Sequence, residues 1–150
     1  MSRPRLIMAI LFAVAVSSCG DATVAPSTAP FPTRLEVIRH VLGEDDARPA
    51  GLMQGRLLPR GRCLWIIPGA GAPYIAMWPP GYTLVETAES IVVLDAAGLL
   101  AGRTGDPYSF GGGEAGSRAH AATLADLPLP DACPGESFWI VTEILPPRPS

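Results

Sequence analysis

The chain has 150 residues, a formal net charge of −3 and eleven basic residues, all of which are arginine. The absence of lysine excludes Schiff-base catalysis and P-loop phosphate binding, because both depend on a lysine side chain. The acidic balance lacks the electrostatic footprint of a nucleic-acid binder, so we expect no nucleic-acid partner.

Residues 1–18 are predicted to be an export signal. Arg3 and Arg5 precede an unbroken apolar run over residues 6–16, and small residues follow it. That order is typical of a secretory signal peptide. The apolar run is much shorter than the roughly 20 residues that a membrane-spanning helix needs.

Cys19 directly follows Val16, Ser17 and Ser18. This stretch resembles the lipobox of bacterial lipoproteins, in which the cysteine is acylated, carries palmitate or a similar chain, and becomes the mature N-terminus. The resemblance implies a protein held by lipid on the extracytoplasmic face of the cell membrane or outer membrane. Val16 and Ser18 also suit ordinary cleavage, so a plain secreted protein without lipid is the alternative.

The residues after the signal divide into a tether and one domain. Residues 19–32 are rich in Pro, Ala and Thr, and they predict an extended spacer that reaches about 35 Å. Residues 33–150 suffice for a single domain. Without the signal, nine basic residues stand against fourteen acidic ones, a formal charge of −5. The domain therefore lacks a polybasic patch for anionic lipid.

Residues 33–46 predict a helix and a turn. Thr33 and Glu36 have the spacing of a capping box, and apolar residues recur at helical spacing up to Gly43, so we predict a helix over residues 34–42. Alternation at Leu35 and Val37 leaves a strand as the alternative. The acidic run at residues 44–46 is interpreted as a solvated turn.

From Gly51 onward, short apolar runs alternate with Gly and Pro, which predicts a mainly β domain. We expect a small barrel-like fold of about five to seven strands, with an OB-like arrangement as one form of it, because closure protects strand edges in a small chain. Turns are predicted at residues 59–61, 79–81 and 95–98, and residues 115–127 as a loop that could contain a helical turn. The predicted strands cover residues 52–58, 63–67, 74–78, 90–95, 99–102, 108–110 and 138–144.

Several short motifs in this region resemble a group of small bacterial extracytoplasmic proteins, many of them predicted lipoproteins, whose functions are unassigned. The resemblance covers residues 51–144. It implies a compact β-rich domain in the cell envelope, and it implies no activity, cofactor or catalytic residue. The motifs are Gly61-Arg62-Cys63-Leu64, Trp78-Pro79-Pro80-Gly81, Val93-Leu94-Asp95 with Gly98, Gly105-Asp106, Gly111-Gly112-Gly113-Glu114 and Ala132-Cys133.

Cys63 and Cys133 remain once Cys19 is acylated, and an oxidising compartment would pair them. The alternative is two buried free thiols. Nothing in the sequence resembles a Cys-x-x-Cys redox motif.

The two histidines, His40 and His120, are interpreted as exposed and non-catalytic. Ser117 lies near His120, but its surroundings are not those of a nucleophile elbow. Two histidines cannot make a three-histidine zinc site, and no spacing predicts another metal or a cofactor. The alternative function is an envelope hydrolase that uses Ser117 and His120, or Asp106 and Glu114 as a carboxylate pair.

The candidate binding surface comprises Trp78, Tyr82, Asp106 and Glu114. Trp78 and Tyr82 are most simply interpreted as core and barrel-end packing, and the alternative is that they stack on a glycan or peptide, because they flank a proline-rich turn. The glycine run before Glu114 has no following amphipathic helix, so it predicts a bulge or tight turn at a barrel corner. The function favoured by these observations is a lipid-anchored binding or structural accessory of the cell envelope, with an envelope protein or glycan as its partner.

Overall fold

The structure is a computed structural model, and it describes residues 34–42 and 49–147. Cys19, the tether and the acidic run at residues 44–46 lie outside this range. The elements in chain order are β1 (Gly51–Arg60), β2 (Cys63–Pro68), β3 (Tyr74–Met77), β4 (Thr83–Glu86), β5 (Ile91–Leu94), β6 (Leu100–Arg103), β7 (Pro107–Gly116), α1 (Arg118–Leu124) and β8 (Phe138–Leu145).

Five of the strands form a closed barrel in the order β1-β2-β3-β8-β7. The pair β3–β8 is parallel, and the other four pairs are antiparallel, including β1–β7, which closes the barrel. In chain order these are the first, second, third, fifth and fourth barrel strands, which is the OB-like arrangement. The prediction of a mainly β, barrel-like domain is therefore confirmed.

The remaining strands form a small three-stranded sheet in the order β4-β5-β6. This sheet is inserted between the third and fourth barrel strands. Its inner face contributes Ile91 and Val93, both fully buried, to the barrel core. β4 was missing from the predicted strands, since residues 83–86 are a short run in which polar ends enclose only Leu84 and Val85.

Residues 34–42 are extended, so the predicted helix is wrong and the alternative of a strand-like segment is closer. The segment forms parallel bridges to Cys63 and Trp78 through Glu36 and Arg39. Its apolar spacing is misleading, because Leu35 and Ile38 enter two different core clusters. A helix would have placed these two side chains on one face.

The turn chemistry is confirmed at two predicted positions. Gly98 has φ +76° and donates its N–H to the carbonyl of Asp95 at 2.9 Å, between β5 and β6. Gly81 has φ +85°, as the third residue of a type II turn requires, and Tyr82 donates to the Pro79 carbonyl at 3.4 Å.

The glycine run lies inside β7, which continues well beyond the predicted end at residue 110. The pairing of β7 with β8 shifts register between Gly111 and Gly112, which lie opposite Glu143 and Val141, so the irregularity predicted at the glycine run is present, but the extra residue is Thr142 on β8. Gly112 has φ +141°, and a Cβ at this position would lie 1.8 Å from the Ile140 carbonyl oxygen. Only glycine fits there without moving a backbone.

After β7, the predicted loop contains a short helix. Ser117 is the N-cap of α1, where its hydroxyl accepts a hydrogen bond from the His120 N–H. Arg118 then donates to the carbonyls of Cys133 and Pro130, which fastens the loop before β8 to the helix.

Cys63 and Cys133 form a disulfide with their Cα atoms 5.5 Å apart. Both residues are fully buried in the cluster that joins α1, β3 and β8. The bridge links the first residue of β2 to the loop before β8. The predicted pairing is confirmed.

Candidate functional site

Trp78 is a core residue. Its side chain is only 1% exposed, and its ring stacks on that of Tyr82 with centroids 6.2 Å apart. The interpretation of Trp78 as core packing is therefore confirmed, and the alternative that it presents a face to a ligand is wrong. The residue follows β3 and supports the proline turn from beneath, while half-buried Tyr82 lies at the edge of the core.

Tyr82 has a protected phenol beside acidic side chains. Burial raises the pKa of the Tyr82 phenol above its usual value, and the charges of Asp95 and Glu143 raise it further. A raised phenol pKa keeps the hydroxyl protonated through neutral pH, so it is a neutral hydrogen-bonding group there. In this protonation state the phenol can donate and accept hydrogen bonds with a ligand, and it is not a general base near neutral pH.

Asp106 and Glu114 do not form a carboxylate pair. Asp106 directly precedes β7, and Glu114 lies near the opposite end of the same strand, where it pairs with Trp139. The two residues are eight positions apart along an extended chain, which separates them by roughly 25 Å. Carboxylates that cooperate in glycoside hydrolysis lie within about 10 Å of each other. These two acids therefore belong to separate exposed surfaces.

The Ser117–His120 pair is explained by helix capping. His120 is exposed, as predicted, and its backbone N–H approaches the Ser117 hydroxyl oxygen at 3.4 Å. Asp106 and Ser117 lie at opposite ends of β7, so the three residues do not assemble a triad.

His40 is buried, which corrects the prediction that it is exposed. The side chain is 4% exposed, and its Nε2 donates to the Val141 carbonyl at 2.9 Å. Backbone hydrogen bonds hold the same segment from two sides, from His40 N–H to the Trp78 carbonyl and from Val41 N–H to the Leu124 carbonyl. His40 thus links the extended segment to β8.

Two surface features were not predicted. The first is a largely apolar groove of about 400 Å³ where β1, β2 and β7 meet, lined among others by Ile67, Pro68, Tyr108 and Arg56. The second is the turn between β5 and β6, where Leu99 and Leu100 are 65% and 61% exposed. Two leucines directly after a turn glycine were the sequence signal for the second feature.

Among the residues that the structure describes, no cluster of three or more His, Cys, Asp or Glu side chains could hold a metal ion. Within the same residues, no helix is long and apolar enough to cross a membrane. No protein-family model, curated protein or solved structure matches the chain. The function must therefore be argued from the residues themselves.

Proposed function

We propose that the protein is a lipid-anchored accessory of the cell envelope, attached through Cys19 and displaying a binding domain on the extracytoplasmic face. The observation that carries the proposal is the Cys63–Cys133 disulfide. The chain has three cysteines, and this bridge leaves Cys19 as the remaining one.

The disulfide also supports an extracytoplasmic location, in addition to leaving Cys19 as the remaining cysteine. Disulfides persist in oxidising compartments and are rare where thiols are kept reduced. Two fully buried cysteines, 70 positions apart in the sequence, meet within the Cα separation that such bridges require. An exported chain with a lipobox would enter such a compartment and would keep Cys19 for acylation.

A binding or structural role fits the arrangement of the side chains better than hydrolysis does. Ser117 is used as a helix cap, and Asp106 and Glu114 lie at opposite ends of β7. An OB-like barrel is a scaffold on which loops carry binding surfaces, although the fold alone assigns no ligand.

Metabolic labelling with a fatty acid tests the anchor. Wild type should take up the label and fractionate with membranes, and Cys19→Ser should do neither. Ser17→Ala is the matched control, because it keeps a small residue before the cysteine and should still be labelled. An unlabelled wild type in the soluble fraction would refute the proposal.

A further inference from the structure

We propose that the turn between β5 and β6 inserts its leucines into the surface of a lipid bilayer. We call residues 96–100, Ala-Ala-Gly-Leu-Leu, the apex; they are the turn after Asp95 and the first residue of β6. The inference deepens the proposed function and rests on it, since the anchor at Cys19 would bring the apex to the membrane.

The apex is apolar, uncharged and exposed. All five of its residues are exposed, and Leu99 and Leu100 have most of their surface in solvent. Gly81 packs so closely on Ala96 that an added Cβ would lie 2.8 Å from the alanine Cβ. The uncharged Pro80-Gly81 turn therefore lies directly beside the apex, and the two together form one exposed, uncharged surface. Exposed apolar patches of this kind mark sites of protein or membrane contact.

The hairpin holds the leucines in place. Asp95 accepts hydrogen bonds from the backbone N–H groups of Ala97 and Leu99 through its Oδ1, each at 2.9 Å. Its own N–H donates to the Leu99 carbonyl at 2.9 Å. Asp95, the acidic residue next to the apex in the sequence, thus uses its carboxylate in hydrogen bonds within the turn. Leu99 and Leu100 are presented by a fixed loop and need little ordering on contact.

The tether is long enough for the apex to contact the membrane in which Cys19 would be anchored, so lipid is the partner that we infer for the apex. Fourteen residues separate Cys19 from Arg34, and the extended spacer that the sequence predicts here reaches about 35 Å. The described chain starts beside the base of the small sheet, where the Leu35 N–H donates to the Glu86 carboxylate. Glu86 pairs with Ile91, and Leu94 at the other end of β5 lies about 10 Å away. The tether can therefore span the distance from the base to the apex.

The distribution of charged residues indicates whether the apex would bind anionic or zwitterionic lipid. The apex carries no basic residue, whereas Glu86, Glu89 and Arg103 lie at the base of the small sheet. Binding to anionic lipid depends on basic clusters, which this projection lacks. Contact should therefore depend on the leucines, occur on zwitterionic lipid and change little with salt.

A single fluorescent label on the full-length acylated protein tests the inference. Cys19 is acylated and the other cysteines are bridged, so Leu99→Cys supplies the one reactive thiol for an environment-sensitive dye. The protein is reconstituted in phosphatidylcholine vesicles whose acyl chains carry bromine as a quencher. Ala70→Cys is the control, because it is exposed in the connection between β2 and β3 of the barrel, outside the small sheet that carries the apex.

The dye at Leu99 should shift to shorter wavelength and be quenched at least about twofold more than the dye at Ala70, as expected for a group at the acyl boundary. Leu100→Cys should behave like Leu99→Cys. Equal quenching at all three positions in acylated protein would overturn the inference and leave the anchor intact. A blue shift that needs no vesicles and grows with protein concentration would show self-association, which also overturns it.

Failure of the anchor gives a separate result. If mass analysis finds no fatty acid, Cys19→Ser removes the remaining thiol, and vesicles are added to the labelled soluble protein. Selective quenching at Leu99 would then support the apex inference although the proposed anchor had failed. No selective quenching would refute both.

Discussion

Cys63 and Cys133 lie with their Cα atoms 5.5 Å apart, although 70 positions separate them in the sequence. Their bridge joins the start of β2 to the loop that Arg118 also fastens. The early and late parts of the barrel are thereby cross-linked where no strand pairing connects β2 to β8.

We predict that removing this bridge lowers the free energy of unfolding by about 4 kcal/mol, because a closed loop of 70 residues restricts the unfolded chain. The measurement is urea unfolding of Cys63→Ala/Cys133→Ala against oxidised wild type. Reductant should destabilise wild type and leave the double variant unchanged. Two titratable thiols in protein from its native compartment would contradict the account.

Gly112 is the position at which we expect the largest effect of a single added methyl group. Gly112→Ala should lower the free energy of unfolding by about 2 kcal/mol or more, because of its positive φ and the nearby Ile140 carbonyl. Gly69→Ala is the matched control, since an added Cβ there meets nothing within 4 Å. Equal melting temperatures for the two variants would show that the register shift between β7 and β8 at Gly112 is described wrongly.

The two histidines should differ strongly in their effect on stability. His40→Ala should cost about 2 kcal/mol or more, because it leaves a cavity and an unpaired Val141 carbonyl. His120→Ala should change stability by less than about 0.5 kcal/mol, because the side chain is exposed. Chemical unfolding of both variants measures these changes. A His40→Ala variant with wild-type stability would contradict the finding that His40 is buried and hydrogen-bonded.

Tyr82 should make stability fall at alkaline pH. Its folded-state pKa is raised above the ordinary value of 10.0, so the unfolded chain loses the proton first. The contribution is fully present below about pH 10 and is lost as pH rises toward the folded-state pKa. Tyr82→Phe should therefore lose less stability than wild type above pH 10. The measurement is the free energy of unfolding of both proteins as a function of pH. An equal loss of stability in wild type and Tyr82→Phe above pH 10 would refute the prediction.

The sequence predicted the features that depend on local chemistry. The turns at Gly81 and Gly98 follow from residues that favour positive φ, and most strands were placed within one or two positions of their bounds. Alternating apolar runs and glycines sufficed for a barrel-like fold, because such patterns report strand faces and turns directly.

The features that were missed depend on long-range packing. Leu35 and Ile38 have helical spacing, but pairing with β2 and Trp78 keeps their segment extended. The position of Trp78 before a proline turn left a stacking surface open beside core packing, and its ring is covered by residues distant in sequence. Whether a side chain at a turn faces inward is decided by closure of the barrel, which no local pattern reports.

The measurement that tests the central claim most directly is mass spectrometry of the N-terminal tryptic peptide from membrane-extracted protein. Cleavage after Arg34 should release a peptide that begins at Cys19 and carries the added mass of its acyl chains. Our account predicts this lipidated peptide and its loss of lipid in Cys19→Ser. A wild-type peptide that begins at Cys19 without added mass, or that retains residues of the signal, would contradict it.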